Sequence, residues 1–173
     1  DFLHSIGGQT VGVDFRKANY EVFKALSAGN SPKDTALPTT EAKAVKNAVE
    51  LAGFRRAMVK DGVALVRFFM WLDSAVAKGE ATELTASAML HRCRCRQAGF
   101  VGESFETIAA YEAHGAIVHY SPTPQSDVAL RPAGLFLLDS GGQYTDGTTD
   151  ITRTVALGRL TREQKRDFTL VLK

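Results

Sequence analysis

The sequence predicts an α+β fold in which helices cover one face of a largely antiparallel sheet. Three observations support this prediction: apolar residues recur at helical spacing between residues 48 and 98, short β-type runs fill residues 104–157, and a capped helical segment follows residue 161. Helices followed by several strands and a further helix are typical of layered α+β domains.

The composition is that of a globular protein of one domain, or of one domain and a fragment. The 173 residues are 45% hydrophobic and 23% charged, which excludes disordered, collagen-like and disulfide-scaffold proteins. The formal net charge of +2 is balanced, so neither nucleic acid nor a membrane is expected as a partner. Cys93 and Cys95 stand two positions apart on a predicted helix and are poor disulfide partners, which indicates a reducing compartment, the cytoplasm.

The first forty residues are predicted to be the tail of a preceding unit plus a linker. Within them, residues 11–14 favour a short strand, and residues 19–28 favour a helix that ends at a Gly-Asn pair. Residues 31–40 are rich in proline, serine and threonine, which predicts a linker or an exposed extended segment. Because the chain starts without methionine and stops inside an amphipathic run, we expect it to be a piece of a longer protein.

Two helices are predicted next. Residues 48–77 carry apolar residues at helical spacing, and Asp61-Gly62 could divide this stretch into two helices. The residues predicted for its apolar face are Leu51, Phe54, Met58, Leu65, Phe68, Leu72 and Val76. Thr82 is the predicted N-cap of a second helix that runs to about residue 98, before Gly99. The basic run at residues 91–97 is predicted to lie on a solvated helix face.

The second half of the chain has the pattern of short strands. Residues 104–110 and 115–120 carry β-branched and aromatic residues between turn-like breaks, and residues 151–157 alternate in polarity. Residues 135–138 form a continuous apolar run, which is typical of a strand buried on both faces. Thr161, with Gln164 three positions later, forms a capping box that opens the last helix.

Two aspartates bracket the segment in which we expect the chemistry. Asp139 directly follows the apolar run, and Asp150 stands at the head of the next predicted strand. The residues between them are typical of turns, so we predict a β-hairpin whose two arms each present a carboxylate. A buried carboxylate is costly unless it is paired, hydrogen-bonded or bound to a cation.

Whether the two carboxylates share a cation depends on the hairpin register. Asp146-Gly147 is the strongest turn signal, and it would place Asp139 opposite Thr154. Thr154 is four residues from Asp150, or roughly 13 Å along a strand, which is too far to share an ion. The local turn chemistry therefore argues against a shared cation.

Two other arrangements keep the shared cation open. A loop centred between residues 144 and 145 would place Asp139 opposite Asp150, and a glycine bulge at residues 141–142 could shift the register. The structural alternative is that Asp139 caps turn amides while Asp150 is a solvated charge at a strand end. His119, at the end of an apolar stretch, is a candidate proton donor or shuttle for a substrate group; its alternative is a hydrogen-bonded histidine at the core edge.

The residues 139–154, together with residues 115–120, strongly resemble aminopeptidase P, the Xaa-Pro aminopeptidase branch of the pita-bread metallopeptidases. The Asp-Gly-Thr-Thr-Asp form at residues 146–150 is most similar to the larger cytosolic type. The resemblance covers about residues 44–173. It implies that residues 41–173 are the N-terminal half of a pita-bread catalytic domain, and that residues 1–40 are the tail of a preceding non-catalytic domain plus a linker.

The resemblance implies a dinuclear centre of divalent metal ions, manganese first and zinc or cobalt as alternatives. Asp139 and Asp150 match two metal ligands, and His119 matches a catalytic residue beside the centre that contacts substrate. Thr152 would orient a ligand, or is a plain outward strand threonine. The implied reaction is hydrolysis by a metal-bridging hydroxide that removes the N-terminal residue from a peptide with proline in second position.

The resemblance also implies that part of the family's metal site lies outside this chain. The remaining ligands of the family, one histidine and two glutamates that include the general base, match positions beyond Lys173. We therefore expect this chain alone to be inactive and its metal centre to be incomplete. The alternative function is a non-catalytic pita-bread module that binds peptides or another protein. Besides a proline-containing peptide, a second copy of the full-length protein is a possible partner.

Overall fold

The computed structural model describes residues 2–173, and the chain divides into two compact units, residues 1–48 and 49–173. In the first unit, strand β1 (Thr10–Val13) pairs in parallel with β2 (Ser31–Asp34), and helix α2 (Tyr20–Ser27) connects them. The Asn19 side chain caps α2 by accepting the Glu21 backbone N–H. Short helices α1 (Phe2–Ser5) and α3 (Pro38–Ala44) complete the unit.

The interval predicted to be an extended linker, residues 31–40, has more regular structure than expected. Its first half is strand β2, whose backbone groups pair with β1. Its second half begins α3, with a proline at the start, where a missing N–H is tolerated. The amino-acid composition of this interval predicted a linker or an exposed extended segment. Composition carries no information about pairing with β1, which lies about 20 residues earlier in the chain.

The second unit begins with two helices that pack on antiparallel strands. Helix α4 (Ala48–Lys78) and α5 (Glu83–Cys95) enclose a core with residues of the sheet, in which Phe68, Leu90 and Phe136 are fully buried. Thr82 forms the predicted N-cap, and its hydroxyl accepts the Thr85 backbone N–H. The α+β prediction, with helices on a mostly antiparallel sheet, is confirmed.

The strands of this unit form two three-stranded antiparallel sheets, ordered β3-β6-β7 and β4-β5-β8. Helix α6 (Arg162–Leu172) follows them and begins at the predicted capping box. The strand bounds are β3 (Phe100–Glu103), β4 (Ile108–Tyr111), β5 (Leu135–Ser140), β6 (Gly142–Tyr144), β7 (Gly147–Thr148) and β8 (Ile151–Ala156).

Strand β5 is buried on one face and half-buried on the other, so the prediction of burial on both faces is wrong. Phe136, Leu138 and Ser140 point into the core, whereas Leu135, Leu137 and Asp139 alternate with them and keep partial exposure. The second face carries apolar side chains that are partly covered. Asp139 therefore belongs to the face opposite the helices.

One further prediction is wrong, and a possible helix break is not found. Residues 115–120 do not form a strand: a 3₁₀ turn (Glu112–Ala116) leads into irregular backbone, and His119 has φ of 55°. Helix α4 is continuous through Asp61-Gly62, because one helical glycine costs too little to break a helix held by packing. Among the described residues, no helix is both long and apolar enough to span a membrane.

The N-terminal half of α4 buries small residues rather than the large ones that its apolar spacing predicted. Leu51 and Met58 remain 43% and 45% exposed, whereas Gly53 and Ala57 are buried. A side chain at Gly53 would overlap the carbonyl oxygen of Asp146, which lies in the turn between β6 and β7. The small residues therefore let that turn approach the helix backbone closely.

We expect the glycines of α4 to respond to alanine with opposite signs. Gly53→Ala should lower the free energy of unfolding by about 1–3 kcal/mol, because the methyl group would overlap backbone atoms that cannot move independently. Gly62→Ala has open space around it and should raise that free energy by about 0.5–1 kcal/mol through helix propensity. Urea unfolding of both variants provides the measurement, and equal effects would contradict the close approach.

Candidate metal centre

The ribbon formed by β5, β6, β7 and β8 has one register throughout. Asp139 pairs with Thr152, and Tyr144 pairs with Gly147, so the two turn residues are 145–146. This register lies midway between the two that the sequence suggested, and a bulge at Gly141-Gly142 is not needed to reach it. The turn therefore lies one residue before the position that the strongest local turn signal predicted.

This register places the two candidate ligands on the same face of the ribbon. Asp150 stands just before β8 and two residues before Thr152; burial alternates from Thr149 to Thr152, so Asp150 and Thr152 point to the same side. Asp139 and Asp150 are therefore diagonal neighbours, whose separation in antiparallel pairs is about 7–8 Å. That spacing allows the two carboxylates to converge, which the register from Asp146-Gly147 would not.

Asp139, Asp150 and His119 line one open cavity of about 450 Å³. Asp139 is half-buried and accepts a hydrogen bond of 2.8 Å from the Thr152 hydroxyl, whereas Asp150 and His119 are exposed. The rest of the lining mixes apolar and polar side chains: Phe105, Glu106, Ile108 and Ser121. The structure thus brings together all the predicted site residues, with Thr152 bound to one of them.

The segment that carries His119 is anchored by a buried carboxylate. Glu83, the first residue of α5, is fully buried and accepts hydrogen bonds from the Tyr120 hydroxyl at 2.7 Å and the Tyr111 backbone N–H at 2.7 Å. His114 Nδ1 lies 2.9 Å from the same carboxylate. Burial raises the pKa of Tyr120, which keeps its hydroxyl protonated as a donor. His119 is therefore fixed through its neighbour.

A buried ion pair lies behind the ribbon. Arg94 of α5 and Asp61 of α4 are both fully buried, and the guanidinium donates to the two carboxylate oxygens at 2.7 and 3.1 Å. Arg94 also donates to Glu103 at 2.8 Å and to the Ser140 hydroxyl at 3.0 Å. Burial by itself lowers the pKa of Arg94, but Asp61 and then Glu103 raise it above its usual value.

Asp61 also accepts hydrogen bonds from the ribbon itself. The Tyr144 hydroxyl donates to it at 2.9 Å, and the Thr149 hydroxyl donates at 2.9 Å. Burial, then the hydrogen bond to Asp61, raises the pKa of Tyr144 well above its usual range. A single aspartate on α4 is thus satisfied by an arginine and by two side chains of the ribbon.

The turn of the ribbon is held by a second charge cluster. Lys60 donates to the Asp146 carboxylate at 2.9 Å and Arg56 donates at 3.2 Å, which lowers the pKa of Asp146. Both cations lie on α4, one turn apart. The ribbon is therefore fixed to the helix at its turn as well as behind the two aspartates.

Several of these residues were missed by the sequence predictions. The prediction of a solvated face for residues 91–97 is wrong at Arg94, which is fully buried, although His91 and Arg92 are exposed. Asp61 was considered only as part of a possible helix break, and Glu83 was not singled out. All three charges occupy positions in phase with the buried stripes of their helices, a signal that was available in the spacing.

The side chains that could bind a metal ion here suit a hard divalent cation, but they are few. Carboxylate oxygens are suited to Mn²⁺ and Mg²⁺, and Asp139 and Asp150 offer them on one face of the ribbon. Within residues 2–173, no cluster of three or more histidine, cysteine, aspartate or glutamate side chains is placed to hold a metal ion. These two aspartates could contribute part of a metal site.

Comparison with known proteins gives concordant results. The model of metallopeptidase family M24 matches residues 52–173. A probable Xaa-Pro aminopeptidase P from Arthroderma otae is 43% identical over 159 residues, which are 91% of this chain and 26% of that protein. The chain thus spans about a quarter of the length of this curated relative.

Solved structures show the same fold. The X-prolyl aminopeptidase from Caenorhabditis elegans, described as a cytosolic enzyme with a di-nuclear active site, is 34% identical with a TM-score of 0.77 over 89% of this chain and 25% of its own. The X-Pro aminopeptidase from Thermotoga maritima matches with a TM-score of 0.77 at 21% identity, over 95% of this chain and 44% of its own. The chain therefore has the expected pita-bread fold and belongs to metallopeptidase family M24.

Proposed function

We propose that the polypeptide carrying this chain is a metal-dependent aminopeptidase that removes the N-terminal residue from peptides with proline in second position. One observation carries the proposal: Asp139 and Asp150 lie on the same face of one ribbon and line a cavity with His119. The identity of 43% to a probable Xaa-Pro aminopeptidase P supports the substrate class. The cytosolic enzyme from C. elegans supports a cytoplasmic location.

In this proposal, Asp139 and Asp150 are ligands of two divalent metal ions, with manganese the first candidate. When bound, such ions polarise the scissile carbonyl and lower the pKa of the attacking water. Thr152 holds one oxygen of Asp139 through its hydroxyl and leaves the other for a metal ion. The remaining ligands are provided by a part of the polypeptide other than residues 1–173, so the chain alone should not hydrolyse peptides.

His119 is proposed as the residue that contacts the substrate. The bond before proline is a tertiary amide without an N–H, so a peptide strand cannot be recognised there by an ordinary backbone hydrogen bond. His119 is exposed in the same cavity as the two aspartates and can donate a hydrogen bond to, or exchange a proton with, a substrate group. Phe105 and Ile108 give the same cavity an apolar wall.

The test is the hydrolysis of peptides by the full-length polypeptide, freed of metal by chelation and then supplied with Mn²⁺. We expect Mn²⁺-dependent cleavage of an Xaa-Pro peptide and much slower cleavage of the matched Xaa-Ala peptide. Asp139→Asn and Asp150→Asn should each reduce kcat/KM by at least about 100-fold, because an amide is a poorer metal ligand than a carboxylate. Asp73→Asn, at an exposed position of α4, is the control and should leave kcat/KM unchanged.

Three results would contradict the proposal. The first is cleavage that is unaffected by either active-site substitution, and the second is full activity after chelation. The third is binding of the Xaa-Pro peptide without cleavage at any metal concentration, which would favour the non-catalytic binding module. Measurable Xaa-Pro cleavage by residues 1–173 alone would show that the two aspartates need no ligand from elsewhere.

A further inference from the structure

Each candidate metal ligand has a buried hydroxyl group next to it in sequence. Ser140 follows Asp139, and Thr149 precedes Asp150; the two hydroxyl-bearing side chains are 0% and 1% exposed. Because neighbouring strand residues point to opposite faces, a hydroxyl held in the core fixes the backbone from which the carboxylate reaches the cavity. The two pairs stand in the two arms of the ribbon.

Both hydroxyls are held by the same ion pair. The Thr149 hydroxyl donates to Asp61 Oδ2 at 2.9 Å, and it accepts the Gly142 backbone N–H at 2.9 Å. The Ser140 hydroxyl accepts a hydrogen bond from Arg94 Nη2 at 3.0 Å. Since Arg94 and Asp61 are bonded through two contacts, a rigid connection joins the arm of Asp139 to the arm of Asp150.

The two arms also approach closely at the point between these pairs. A side chain at Gly141 would overlap the carbonyl oxygen of Thr149, and Ser104 donates to that same oxygen at 2.9 Å. Productive metal geometry requires ligands to be held within about 0.5 Å by side chains that are themselves fixed. The buried hydroxyls of Ser140 and Thr149 are fixed in this way. The Asp150 carboxylate is exposed, so its position depends on the backbone that Thr149 holds.

We propose that Ser140 and Thr149 are positioning residues of the metal centre, through which the buried Asp61–Arg94 pair sets the spacing of Asp139 and Asp150. This inference rests on the proposed function, because it takes the two aspartates as metal ligands. It adds that the affinity for metal depends on side chains on the opposite side of the ribbon.

The test measures binding of Mn²⁺ to the full-length polypeptide from the electron paramagnetic resonance signal of the free ion, independently of catalysis. Thr149→Val keeps the shape of the side chain and removes its hydroxyl, and we expect affinity about tenfold weaker. Thr149→Ser should restore most of the affinity. Thr148→Val, at the preceding and exposed position in β7, is the matched control and should bind as the parent does.

Urea unfolding separates positioning from stability. A merely structural role would lower the unfolding midpoint of Thr149→Val while the folded protein bound Mn²⁺ normally, and equal affinities of the valine variants at 148 and 149 would overturn the proposal. If Thr149→Val does not fold, Ser140→Ala takes its place under the same criterion. Parent protein whose Mn²⁺ binding is absent, or is unchanged by Asp139→Asn, would instead overturn the proposed function itself.

Discussion

Replacing Arg94 with alanine is expected to lower the free energy of unfolding of the second unit by about 3–5 kcal/mol, because the change leaves the Asp61 carboxylate buried without its cation. The guanidinium also donates to Glu103 and Ser140, so two further acceptors lose a partner. Truncation in addition removes the buried methylene groups of the side chain. Chemical unfolding of purified protein, followed by circular dichroism, gives the measurement.

Arg92→Ala is the matched control for Arg94→Ala. Arg92 lies two positions earlier on the same helix and is exposed, so its loss should change the free energy of unfolding by no more than about 0.5 kcal/mol. A double-mutant cycle with Asp61→Ala adds a second criterion: the double variant should be less destabilised than the sum of the single variants, since neither charge then remains alone. Additive effects, or equal effects of the two arginine substitutions, would contradict a buried ion pair.

Sequence periodicity predicted the elements of this fold better than it predicted their environment. Helices α4 and α5, strands β5 and β8, the N-cap at Thr82 and the capping box at Thr161 lie close to where local patterns placed them. These patterns depend on neighbours within a few residues. The parallel strand β2 was not predicted because its hydrogen-bonding partner is distant in sequence.

The register of the ribbon shows why the site was harder to predict than the fold. Local turn chemistry favoured Asp146-Gly147, but the structure turns at residues 145–146. Contacts from outside the hairpin account for the difference: Lys60 and Arg56 hold the Asp146 carboxylate, and Gly53 admits the turn against the helix. A shift of one residue in the turn changes the partner of Asp139 by two residues, from Thr154 to Thr152. This change brings Asp139 closer to Asp150, so that the two carboxylates can share a cation.

Charges in phase with a buried stripe are the signal that would have found the supporting residues. Asp61 precedes Leu65, Phe68 and Leu72 at spacings of four, three and four, so it lies on the buried face of α4. In α5, Glu83 and Arg94 share a face with Ala86 and Leu90 in the same way. A charge on such a face must find a partner in the core, because an unpaired buried charge is strongly disfavoured.

The second large effect is expected at Glu83, which holds the segment of His119. Glu83→Ala would remove the acceptor shared by the Tyr111 N–H, the Tyr120 hydroxyl and His114, and the Tyr120 hydroxyl would keep only its longer contact with Ser126. Each unsatisfied buried donor costs about 1–3 kcal/mol, so we expect the free energy of unfolding to fall by about 3–5 kcal/mol. Glu83→Gln keeps one acceptor oxygen and should have an intermediate effect.

Glu83→Gln also tests how His119 is positioned, because a positive φ at a residue other than glycine is a strained conformation that the surrounding structure must hold. Loss of the Tyr120 anchor should release that backbone, so Glu83→Gln in the full-length polypeptide should reduce turnover of an Xaa-Pro peptide more than it reduces binding of Mn²⁺. Glu80→Ala, exposed just before α5, is the control for both measurements. Parent-like stability of Glu83→Ala would show that the carboxylate does not anchor this segment, and equal losses of turnover and metal affinity in Glu83→Gln would show that it acts on the whole site.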